Sequence, residues 1–289
     1  MTDELDRVAA DYRALGESLR GFLRTVSNFA ATLEVTGRPD EDRLRSMLGT
    51  SARVFDQLAT FLQTLDGAIE RSTSGQPPRR EAILDRFEEL EPPPEAPEEG
   101  DETTPPGSTR FEGVSPLKLL SVPYDLLLNV EEQMVSERIR RPFRFVELKR
   151  LWGDTAYLGG DHPSDGLLAR LTRLHERLRE VLAGGGGQLF DEELLEELGE
   201  LSRRAEAAAN WDGAEVAERE RDWWIDRVEN WVEAAETDDG PAHHTAEMMH
   251  RFLTDLPSAP DDRVADLLDR IAEAEAFPDE LRDRAADLP

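Results

Sequence analysis

Between Arg138 and Arg150 six cations, Arg138, Arg140, Arg141, Arg144, Lys149 and Arg150, stand against the single carboxylate of Glu147, with Phe143, Phe145 and Trp152 interleaved. Guanidinium groups neutralise phosphates and aromatic rings stack on bases, so this island has the ingredients of a nucleic-acid contact. The same residues also suit an internal role. Phe145, Leu148 and Trp152 recur at helical spacing, which turns them inward, and the arginines can pair with carboxylates of the chain itself or of an acidic protein partner. The acid-rich stretch Glu88 to Thr103 is one such source of carboxylates and could lie over the island.

A second set of residues has the types needed to hold a metal. His243, Glu247 and His250 fall at i, i+4 and i+7, so they share one face of a helix, and such a face can ligate zinc. The set lacks the two-histidine spacing with a glutamate between that zinc hydrolases use. Met249, Phe252, Leu253 and Leu256 lie on the opposite side of the same helix, which turns the histidine face toward solvent. The weak candidate His243, Glu247 and His250 is therefore not taken as a metal site, and no cofactor is expected.

Tryptophans form the third cluster: Trp211, Trp223, Trp224 and Trp231, with Ile225, Val228 and Val232 among them. Aromatics at helical spacing usually pack in a core. Trp223 and Trp224 are adjacent, however, and point in different directions, so one of the two is a candidate for a partner or ligand groove. Other signatures are missing. The run Gly184 to Gly187 has no Lys-Ser or Lys-Thr after it and no strand before it, and no Gly-x-Ser-x-Gly elbow occurs.

These residues must be positioned by helices. Leu5, Val8, Tyr12, Leu15, Leu19, Phe22, Val26, Phe29 and Leu33 alternate spacings of three and four, and Leu44, Leu48, Phe55, Leu58, Leu62, Leu65 and Ile69 repeat the pattern after the break Thr36 to Asp40, with Ser51 the one polar residue in the seam. The expected fold is all-α, beginning with an antiparallel, coiled-coil-like helical hairpin over residues 1–71. Residues 72–110 read as a short helix followed by an acidic, proline-rich linker, because Glu91 to Ser108 offers one alanine as its only apolar side chain. Residues 111–183 form a central helical segment that carries the basic island. Residues 188–289 form an acidic helical region beyond the glycine run, and the two together read as a multi-helix bundle.

Composition narrows the setting. In the 289 residues 63 acids oppose 34 bases, a net charge of −29, and Lys118 and Lys149 are the only lysines. An acidic, lysine-poor surface resembles the composition of cytoplasmic proteins from salt-accumulating halophiles, where concentrated cations screen the repulsion. There is no cysteine, so thiolate chemistry and disulfides are excluded. No apolar run approaches the length of a membrane span and the first residues are acidic, so the expected location is cytoplasmic, with no membrane partner.

The expectation that follows is a non-catalytic scaffold, adaptor or assembly subunit acting through protein–protein contact. The hairpin stripe Leu15, Leu19, Phe22, Val26, Phe29, Phe55, Leu58 and Leu62 is the expected docking surface, for a second copy of the chain (a homo-oligomer), for another helical protein, or for the chain's own later helices. A nucleic-acid-associated factor using residues 138–150 is the alternative. A metal-dependent enzyme is the second alternative.

Overall fold

A computed structural model describes residues 2–73, 114, 116–120, 122–157, 180, 192–236, 249, 253 and 262–288, and among them every regular element is an α-helix. They divide into two compact units, Met1–Trp211 and Asp212–Pro289. The break thus falls after Trp211 and not at the glycine run Gly184 to Gly187, for a reason visible in the packing of the first unit.

The first unit is built on α1 (Thr2–Thr36) and α2 (Glu41–Thr73), which pack against each other. The turn between them follows local rules. Gly37 takes φ of +62°, a left-handed conformation that costs glycine little, and its N–H donates to Leu33 O at 2.8 Å to close the last turn of α1. Asp40 Oδ1 then accepts from the N–H of Arg43 at 3.1 Å and caps α2.

The apolar stripes of this hairpin are covered from within the same chain. Short α3 (Pro116–Leu119) and α4 (Val122–Ser136) lie on α1, while α5 (Phe143–Tyr157) and α6 (Glu192–Asn210) lie on α2. Gly16 makes room for the first of them: a Cβ there would sit 3.0 Å from Pro116 Cγ. The ring of Phe22 stacks on Trp152 with centroids 5.0 Å apart, Phe55 meets the same indole at 5.1 Å, and Phe29 stacks on Phe145 at 6.1 Å. Because Phe145 meets Phe29 and Trp152 meets Phe22, α5 runs opposite to α1 and alongside α2. Ser202 Oγ in α6 donates to Ala52 O at 3.0 Å, which pins α6 to the middle of α2. This is why α6, although it follows the glycine run, belongs to the first unit.

Burying a Leu, Val or Phe side chain contributes about 1.5–3 kcal/mol. Leaving even four such residues in water would cost about as much as the whole net stability of a domain, about 5–15 kcal/mol. The stripe therefore needs a cover, and α3 to α6 supply it.

The second unit consists of α7 (Gly213–Glu236), α8 (Asp262–Glu273) and α9 (Asp279–Ala286), with Met249 and Leu253 buried among them. Asp212 Oδ1 accepts from the N–H of Glu215 at 2.8 Å and caps α7. Its core is Ile225, Val228, Val232, Val264, Leu267, Leu268, Ile271, Phe277 and Leu281. Arg263 of α8 bonds to Glu229 at 2.7 Å and to Asp226 at 2.5 Å, and so fixes α8 against α7.

Candidate functional site

The hairpin residues proposed as a docking surface, Leu15, Leu19, Phe22, Val26, Phe29, Phe55, Leu58 and Leu62, are each at most 1% exposed and belong to the core of the first unit. The later helices of the chain occupy the side that a second copy or another protein would have to use. What covers the hairpin is therefore the third of the covers considered from the sequence.

Of the basic island's six cations one, Arg144, is buried, and the interleaved Phe145 and Trp152 join the same core. Arg144, at the start of α5, is 2% exposed; its Nη1 donates to Ala209 O at 3.1 Å, its Nη2 donates to Trp211 O, and its Nε lies 3.3 Å from Glu41 Oε2. It thereby satisfies carbonyls at the C-terminal end of α6, where a helix leaves acceptors without partners. Burial, with Arg45 adding repulsion, pulls the Arg144 guanidinium below its ordinary pKa, while Glu41 and Asp42 act in the opposite sense. Phe143, one residue earlier, stacks on the Trp211 indole with centroids 5.5 Å apart. These two neighbours clamp the end of α6.

Two further cations converge on one acid. Arg141 donates to Glu131 Oε1 at 2.5 Å and Lys149 to Glu131 Oε2, joining α5 and the segment before it to α4. Burial raises the Glu131 pKa, but bonds from Lys149 and Arg141 more than offset this and hold the carboxyl below its usual range. Glu147, the one acid of the island, is 6% exposed and accepts from Arg204 Nε of α6 at 2.6 Å. Arg138, Arg140 and Arg150 are exposed, and Arg138 takes φ of 56° at the end of α4. No spacing rule announces Glu41, Glu131 and Arg204 as partners of these side chains.

Between the tips of α1 and α2 lies an open depression of about 630 Å³ lined by Thr25, Asn28, Thr32, Val35, Thr36 and Arg43, among others. Four of its polar side chains donate to the chain's own backbone. Thr25 donates to Phe22 O at 2.6 Å, Thr32 to Asn28 O at 2.8 Å, Thr36 to Thr32 O at 2.7 Å and Arg43 to Asn28 O at 3.0 Å. Such a lining offers little to hold a polar ligand.

The tryptophans separate. Trp211 packs on the first unit, whereas Trp223, Trp224 and Trp231 lie on α7 of the second. Trp224 and Trp231 flank the core of that unit, but Trp223 is not among the residues that form or line it. At about 100° per residue it points about 160° away from the mean direction of Ile225, Val228, Val232 and Ala235. Arg227, one turn on and exposed, places its guanidinium 5.6 Å from the centroid of Trp223 and 5.5 Å from that of Trp231, and Trp224 meets Trp223 edge to face at 4.9 Å. The i, i+4, i+8 spacing of Trp223, Arg227 and Trp231 is the sequence signal for this ladder.

His243, Glu247 and His250 lie outside the described residues, as do residues 74–110 of the short helix and acidic linker expected over residues 72–110. Met249 and Leu253, expected on the apolar side of the histidine helix, are buried in the core of the second unit. Among the described residues no group of His, Asp and Glu side chains is arranged to hold a metal ion, and no described helix is long and apolar enough to cross a membrane. No family model, no curated protein and no solved structure matches this chain.

Proposed function

We propose that the protein is a non-catalytic helical scaffold or adaptor, an assembly subunit that works by protein–protein contact in a salt-rich cytoplasm. The observation that carries this reading is the placement of Trp223 on the side of α7 turned away from the core of its unit, flanked by exposed Arg227. Tryptophan and arginine together are the side chains most enriched where binding energy concentrates in protein interfaces. In this reading the docking surface is the outer face of α7, and the hairpin serves as the rigid framework of the first unit.

The engagement of Arg141, Arg144 and Lys149 inside the first unit weighs against a nucleic-acid role for the island, because such a role needs cations free to meet phosphates. Two measurements test the proposal. Quantitative capture at high salt, comparing the full chain with its Trp223→Arg variant, is expected to retain a stoichiometric protein partner only with the unchanged chain. Anisotropy of labelled DNA and RNA at low salt is expected to show no binding. Binding that is lost on replacing Arg138, Arg140 and Arg150 would instead favour the nucleic-acid factor.

A further inference from the structure

We draw no further inference here: the strongest candidate, the outer face of α7 around Trp223 and Arg227, belongs to the surface already described, and nothing in the structure shows what covers it.

Discussion

Arg144 Nη1 donates to the carbonyl oxygen of Ala209 at 3.1 Å across 65 residues of sequence, so a side chain from the basic island closes the end of another helix. A residue that looks like a phosphate ligand in the sequence is thus a capping group in the fold. Removing it leaves the Ala209 and Trp211 carbonyls without this donor and Glu41 without a counter-ion. Arg144→Met is expected to cost about 3 kcal/mol or more in urea unfolding at high salt. Glu41→Gln should cost less than about 1 kcal/mol, because Glu41 is 55% exposed and its charge is screened by water. Equal effects of the two variants would contradict this account of the clamp.

Glu131 makes the stability of the first unit depend on pH. Its folded pKa is lowered, so its pairs with Lys149 and Arg141 stabilise the fold above the unfolded carboxylate value of 4.5, and this contribution is lost as pH falls through the folded value. The unchanged chain should therefore lose stability more steeply than Glu131→Gln on acidification below about pH 4.5. Parallel curves for the two proteins in acid titration would count against the pairing.

Ser51 is fully buried in the hairpin seam, and its hydroxyl has no hydrogen-bond partner among the described residues. Replacing it removes a polar group without breaking a bond. Ser51→Ala is expected to be neutral or to stabilise by up to about 1 kcal/mol, whereas Phe22→Ala, which empties one side of the Trp152 stack, should cost about 3–5 kcal/mol. Thermal unfolding of the two variants tests the contrast.

The helix glycines should divide by surroundings. A Cβ at Gly21, Gly49 or Gly199 would meet nothing within 4 Å among the described residues, so alanine there is expected to stabilise by about 0.5–1 kcal/mol through helix propensity. Gly16→Ala, 3.0 Å from Pro116 Cγ, and Gly37→Ala, at φ of +62°, should lose stability. Chemical unfolding midpoints of these five variants check the division.

Net charge sets the response to salt. With −29 charges on one chain, the midpoint of thermal unfolding should rise between dilute buffer and molar KCl as repulsion is screened. A midpoint that falls or stays level over that range would remove the salt-adaptation reading.

The sequence alone determined the all-α class and the break between α1 and α2, because periodicity, capping and helix breaks are short-range. Asp40 and Asp212 cap helices whose starts are legible in a few residues, and Gly37 stops α1 within one turn. It also left one of Trp223 and Trp224 to face away from the core, since adjacent helical positions diverge by about 100°. Only the tertiary structure decided what covers the hairpin and what neutralises the island. A stripe of leucines and phenylalanines reports that it must be buried, but burial is non-directional and does not name its cover. The partners of Arg144 and Glu147 lie 65 and 57 residues away along the chain, so no local spacing could select them.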